Sequence, residues 1–106
     1  MTKSFLDKDE NLFFYIVDTF KSSASISLGK TRNPVTKKID INLPQAKHYL
    51  DILLVLQKKT RNNLSEYEEQ MLINTISELK MNYIEIKQSI DDVNGASGKM
   101  NKKIRK

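Results

Sequence analysis

The sequence contains no cysteine, and His48 is its one histidine. Without cysteine, disulfides, thiolate metal sites and cysteine nucleophiles are excluded, and one histidine is too few for a histidine-rich metal site. The three glycines and two prolines leave room for long regular elements. The sequence therefore predicts neither a cofactor nor a metal centre.

Long hydrophobic runs are also missing. The longest apolar run near the N-terminus covers residues 12–17, and Asp18 ends it. A secretory signal needs an apolar core of roughly 7–15 residues and a membrane span needs about 20. We therefore expect a cytoplasmic protein with no membrane span.

The composition is that of one folded domain, and the excess positive charge belongs to its end. Hydrophobic residues make up 39% and charged residues 29% of the 106 positions, which argues against global disorder. The net charge of +5 arises because the last eight positions hold five basic residues and no acid, while the preceding part is neutral. These five residues are Lys99, Lys102, Lys103, Arg105 and Lys106.

Three helices are predicted from their start signals and apolar spacing, over residues 8–28, 43–60 and 66–93. Asp7 with Glu10 and Ser65 with Glu68 are capping-box pairs, and Asn42 is a further N-cap with Gln45 as its partner. Gly29 suits a left-handed helix end, and Asn62 suits positive φ in the second turn. Gly95 is expected to end the third helix.

The apolar positions predict how these helices associate. Leu72, Ile76, Leu79 and the positions that follow them repeat at alternating spacings of four and three, as in a heptad seam. The first helix has apolar residues on two faces, so it needs more cover than one partner helix provides. We predict an all-α fold of three antiparallel helices over residues 1–95, completed by self-association, with a disordered basic tail over residues 96–106.

The order of short motifs resembles that of a known family. The motifs are Leu-Gly at 28–29, Asn-Pro-Val-Thr at 33–36, Asp-Ile-Leu at 51–53, Leu-Gln-Lys-Lys-Thr at 56–60 and Asn-Leu-Ser at 63–65, with Glu-Glu at 68–69 and Leu-Lys at 79–80. Over residues 12–87 the chain resembles the bacterial domain-of-unknown-function family 1844. The family usually has glycine where Asn62 stands, and asparagine can take the same left-handed conformation. The resemblance implies a small helical protein and no activity.

Two basic segments are the candidate sites for an anion or a nucleic acid. Lys58, Lys59 and Arg61 lie just before a helix start, where backbone N–H groups attract anions, although a structural connecting turn explains them as well. The basic tail can contact phosphate or simply keep the protein soluble, and it has no aromatic residue on which a base could stack. A nucleic-acid backbone could also reach the basic linker, which contains Lys30, Arg32, Lys37 and Lys38.

The remaining candidates have a structural explanation that is stronger than the functional one. His48 with Asp51 three residues on could pair, but an exposed histidine is the expectation. The glutamates at 66, 68, 69 and 78 are expected to form a solvated acidic face rather than a metal site. The aromatic residues Phe13, Phe14, Tyr15 and Phe20 are expected in a core or a dimer interface.

No catalytic constellation emerges, so an enzyme is not predicted. The favoured interpretation is a non-catalytic protein–protein interaction module that forms a homo-oligomer, with no small-molecule substrate identified. The alternative is an RNA- or ribosome-associated factor that uses the basic turn and tail.

Overall fold

Three helices make up most of the described chain, and a linker and a turn join them. The computed structural model describes residues 7–98, with side chains to Val93, and residues 1–6 and 99–106 lie outside it. Helix α1 spans Lys8–Ser27, α2 spans Leu43–Lys59 and α3 spans Glu66–Gly98, and no strand occurs within residues 7–98. The predicted all-α fold of three helices is confirmed.

The helices run up, down and up, so α1 and α3 are parallel and α2 opposes both. Contacts between α1 and α3 advance along both helices together: Phe14 meets Tyr67 at 6.1 Å between ring centroids, and the Lys21 ammonium lies 3.5 Å from the Glu78 carboxylate. Between α1 and α2 the order reverses, since Phe20 packs 6.2 Å from Tyr49 near the start of α2.

The helix starts follow the sequence signals. The Asp7 carboxylate accepts the Glu10 N–H at 2.8 Å and the Glu10 carboxylate accepts the Asp7 N–H at 3.2 Å, which completes the predicted capping box. At α2 the side-chain oxygen of Asn42 accepts the Gln45 N–H at 3.1 Å, with proline in the first turn. These bonds satisfy N–H groups that have no partner within the helix.

One small core joins the three helices. Its buried side chains are Val17, Ala24, Leu28, Ala46, Leu50, Leu53, Leu72, Ile76 and Leu79. Every helix contributes to it, and Val17, Leu53 and Leu72 are fully inaccessible to solvent. Phe13, Phe20 and Tyr83 are among the half-buried side chains that pack against its edge. The fold is therefore held by side chains at the positions that the helical spacing predicts.

Helix α1 ends in a Schellman motif. The Gly29 N–H donates to the Ile26 carbonyl and the Lys30 N–H donates to the Ser25 carbonyl, both at 3.0 Å. Gly29 has φ of +77°, as its predicted role as a left-handed cap requires. The linker then returns to α2, where the Asn42 N–H donates to the Ser27 carbonyl at 2.7 Å.

One detail differs from the sequence-based expectation, and it concerns the end of α3. In the linker, Ile39 and Ile41 are 55% and 49% exposed and cover Gly29 at the edge of the bundle. Helix α3 does not end at Gly95 but continues to Gly98, so residues 96–98, assigned to the tail, are helical. A glycine weakens a helix by about 1 kcal/mol relative to alanine but does not by itself break the hydrogen-bond ladder. The rest of the predicted disordered tail lies outside the described residues.

The Gly29→Ala variant tests this turn. We expect a loss of about 1–3 kcal/mol in the free energy of unfolding, because φ is positive and an added Cβ would lie 2.8 Å from Cγ1 of Ile41. Urea unfolding measures the loss. In an Ile41→Ala background the same glycine change should cost less, because the steric contact is gone. An equal cost in both backgrounds would show that the contact with Ile41 contributes nothing.

Candidate functional site

The turn between α2 and α3 is built by backbone hydrogen bonds and one left-handed residue. The Thr60 N–H donates to the Leu56 carbonyl at 3.0 Å, and its hydroxyl donates to the same oxygen at 2.7 Å. The Asn63 N–H then donates to the Thr60 carbonyl at 2.9 Å. Asn62 has φ of +69°, which confirms the left-handed conformation predicted for it.

The three candidate cations of this turn are all exposed. Lys58 and Lys59 occupy the last turn of α2, and Arg61 follows two residues later. At the C-terminus of a helix, positive side chains compensate the negative end of the helix dipole. This position gives the two lysines a structural role that needs no ligand.

Acidic residues surround the same end of the molecule. Because α1 and α3 are parallel, both start here, and their first turns carry Asp9 and Glu10 on one helix and Glu66, Glu68 and Glu69 on the other. A hollow of about 440 Å³ beside the turn is lined by Gln57, Thr60, Arg61, Asn62, Leu64 and Glu69. An anion in this hollow would meet a carboxylate as well as the guanidinium.

The start of α3 is already occupied by the chain's own acids. The Ser65 hydroxyl oxygen accepts the Glu68 N–H at 3.1 Å, and the buried Glu68 carboxylate accepts the Ser65 N–H at 2.8 Å. The Ser65 hydroxyl in turn donates to the Glu10 carboxylate of α1. This bond joins the capping boxes of α1 and α3, and sequence reasoning missed it because 55 residues separate the two side chains.

Of the other cations that were predicted as candidates, the structure places only those of the basic linker. Lys99, Lys102, Lys103, Arg105 and Lys106 lie outside the described residues. The basic linker lies at the other end of α2, where Lys30 approaches Glu85 at 3.8 Å. Within the described chain, the candidate site therefore consists of Lys58, Lys59 and Arg61 beside a larger group of carboxylates.

His48 does not form the pair with Asp51 that the sequence allowed. The Asp51 carboxylate accepts a hydrogen bond from Lys47 at 2.9 Å, and this bond raises the pKa of the lysine. A lysine four residues from a carboxylate on a helix can reach it directly, and it carries a full charge at neutral pH. His48 is exposed, as expected, with its ring centroid 5.9 Å from that of Tyr49.

The acidic and aromatic residues that were considered as candidate site residues do not lie together in one place within the described chain. Glu78 pairs with Lys21, away from the first turn of α3, and no group of three His, Cys, Asp or Glu side chains within residues 7–98 could hold a metal ion. Phe13 and Phe20 pack on the core, while Tyr15 is 71% exposed. Within the described part of the chain, no helix is both long and apolar enough to cross a bilayer.

Comparison with known proteins supplies a family. The model of the family described as Domain of unknown function (DUF1844) matches residues 10–85, which is more than half of the chain. The chain belongs to this family. No curated protein and no solved structure gives a significant match. The DUF1844 match covers α1, α2 and most of α3, and it confirms the family that the motif order indicated.

The bond between the two capping boxes can be measured by a double-mutant cycle. Ser65→Ala removes the N-cap of α3 and the bond to Glu10, so we expect a loss of about 1–2 kcal/mol in the free energy of unfolding. Ser77→Ala, on the exposed face of the same helix, is the matched control and should change stability by less than about 0.5 kcal/mol.

Glu10→Ala completes the cycle, since alanine removes the oxygen that accepts the Ser65 hydroxyl, which glutamine would keep. If the hydroxyl of Ser65 binds the carboxylate of Glu10, the double variant should be more stable than the sum of the two single losses predicts. Strictly additive losses in urea unfolding would show that the contact between the two helix starts does not contribute to stability.

Proposed function

We propose that this protein is a non-catalytic protein–protein interaction module of the bacterial cytoplasm that works as a homo-oligomer. The observation that carries the proposal is the balance between buried and exposed apolar side chains. Nine apolar residues are buried among the described ones, whereas twelve large apolar side chains are at least 39% exposed. Single exposed apolar residues are normal on a protein surface, but grouped ones indicate an interaction site.

The exposed residues are grouped on helices rather than confined to loops. Leu12, Tyr15 and Ile16 follow one another on α1 with exposures between 45% and 71%. On α3, Met81, Ile84 and Val93 are about 60% exposed. A domain of this size buries only a low fraction of its surface, so contacts with another chain can cover apolar side chains that its own core does not.

The alternative, an RNA- or ribosome-associated factor, is supported by the exposure of the three cations at the second turn. None of these three cations, Lys58, Lys59 and Arg61, forms an ion pair with a carboxylate of residues 7–93. The neighbouring acids of α1 and α3 oppose this alternative, because they repel phosphate. We therefore place the interaction module first.

The molar mass of the full chain in solution tests the proposal directly. Light scattering at increasing micromolar concentrations should give a mass that rises above the 12.3 kDa of one chain, because association buries the exposed apolar side chains. The increase should persist at high salt, which weakens ionic contacts but not apolar ones. A mass of one chain at every concentration would contradict the homo-oligomer.

Binding to single-stranded RNA separates the two functions. In the triple variant K58Q/K59Q/R61Q the charges are removed without adding acids at the end of α2, and Lys80→Gln on α3 serves as a control for one lost surface charge. We expect the triple variant to bind RNA as the wild type does. If the turn contacts phosphates, affinity should instead fall and the slope of log K against log salt should decrease by about three.

Deletion of residues 96–106 completes this experiment. If only the deletion abolishes RNA binding, the folded domain does not contribute to that binding, and the interaction module is favoured. Losses in both the deletion and the triple variant would favour the RNA-associated factor. A lack of binding in every variant would remove that alternative.

A further inference from the structure

Helix α1 presents one continuous surface without charge. Its first half contributes Leu12, Tyr15, Ile16 and Thr19, and its second half contributes Ser22, Ser23 and Ile26. At 100° per residue these seven positions fall within an arc of about 120°. We call this surface the α1 outer face. Its larger side chains at the N-terminal half are 45% to 71% exposed.

The charged side chains of α1 avoid this surface. Between Asn11 and Ser27 only Asp18 and Lys21 are charged, and both line a hollow on the side of α3, together with Met71 and Thr75. Lys21 also pairs with Glu78 of α3. The Thr19 hydroxyl donates to the Tyr15 carbonyl at 2.8 Å, so its polar group has a partner within the helix. Thr19, at the centre of the α1 outer face, can therefore be covered without burying an unpaired hydroxyl.

When two copies of the face are placed antiparallel, the larger side chains of one copy lie mainly opposite the smaller side chains of the other. In an antiparallel pair with a two-fold axis at Thr19, residue numbers that face each other sum to 38. Tyr15 then lies opposite Ser23 of the second copy, Ile16 lies opposite Ser22, and Leu12 lies opposite Ile26. In the two central pairs a bulky side chain meets a small one, as close helix packing requires, and in the outer pair two apolar side chains meet. A parallel pair would set Tyr15 against itself and serine against serine.

The charges at the two ends of α1 favour the same orientation. The first turn and its cap carry Asp7, Asp9 and Glu10 against one lysine, Lys8. The chain that follows α1 carries the basic residues Lys30, Arg32, Lys37 and Lys38 against one acid, Asp40, and of these Lys30 also approaches Glu85 of its own chain. An antiparallel pair sets the acidic start of one α1 beside the basic end of the other, and it opposes the two helix dipoles.

We propose that two copies of this protein associate through their α1 outer faces, with the two α1 helices antiparallel about Thr19. This inference rests on the homo-oligomer of the proposed function and specifies its interface. From Leu12 to Ile26 the face is about 21 Å long. One helix face covers less than the roughly 800 Å² per partner of a standard interface, so we expect a weak dimer whose population rises with protein concentration.

Introduced cysteines report the orientation without interference, because the chain has no cysteine of its own. The variants L12C and I26C are oxidised separately and as a mixture, and dimers are counted by non-reducing electrophoresis and mass spectrometry. In the antiparallel pair Leu12 lies beside Ile26 of the second copy and about 21 Å from its equivalent Leu12. The mixture should therefore give several-fold more disulfide dimer than L12C alone.

Substitutions at positions 19 and 81 control the experiment. T19C should cross-link alone, since position 19 lies on the axis, whereas M81C, equally a surface position but on α3, should not. Thr19→Lys sets two ammonium groups face to face and should weaken the dimer at least about tenfold, while Met81→Lys should leave it unchanged. Circular dichroism confirms that each variant keeps its helices.

The outcomes distinguish the interface from the proposed function. A wild-type dimer in which L12C alone cross-links faster than the mixture would overturn the antiparallel orientation. A wild-type dimer that resists Thr19→Lys and gives no cross-link at positions 12, 19 or 26 would overturn the α1 interface but leave the homo-oligomer. A wild-type monomer throughout would overturn both and leave the α1 outer face to another partner.

Discussion

Two chain reversals among three helices oblige α1 and α3 to run parallel, and this constraint shapes one whole end of the molecule. Both positive dipole ends lie side by side there, next to the negative end of α2. Acidic side chains lie in the first turns of α1 and α3, and basic side chains lie in the last turn of α2. At this end of the molecule, each helix terminus therefore carries side chains whose charge is opposite to that of its dipole. The bond from Ser65 to Glu10 then ties the two starts together.

The same constraint explains why the basic turn is a weak candidate for a ligand site. In the sequence, Lys58, Lys59 and Arg61 form a run of cations before a helix start, which is a pattern that suits an anion. In the fold, the carboxylates of α3 and of the distant α1 meet at the same place. Their combined charge is visible only once the helices are assembled, because Asp9 and Glu10 lie far away in the chain.

Local signals predicted most of the fold, and non-local contacts explain what they missed. Capping boxes, Gly29 and Asn62 depend on neighbours within a few residues, so the helix starts and two of the three left-handed positions among the described residues could be predicted. The third, Lys37 in the linker with φ of +66°, was missed, because lysine carries no signal for this conformation. The bond between Glu10 and Ser65 depends on assembly and carries no local signal. The predicted end of α3 was wrong because Gly95 was taken as the residue at which the helix stops, although a glycine only weakens a helix. Asp51 pairs with Lys47 instead of His48 because the lysine, one residue before the histidine, reaches the same carboxylate.

The contact that joins the helix starts also bears on the order of folding. Helices α1 and α2, and then α2 and α3, are sequential neighbours, so each pair can form by closing a short loop. The Glu10–Ser65 contact closes a loop of 55 residues, and the entropy of that closure must be overcome before the bond contributes. Loop-closure entropy of this kind slows the contacts that span the longest stretches of chain. We therefore expect the two adjacent hairpins to form first and the docking of α1 along α3 to complete the bundle.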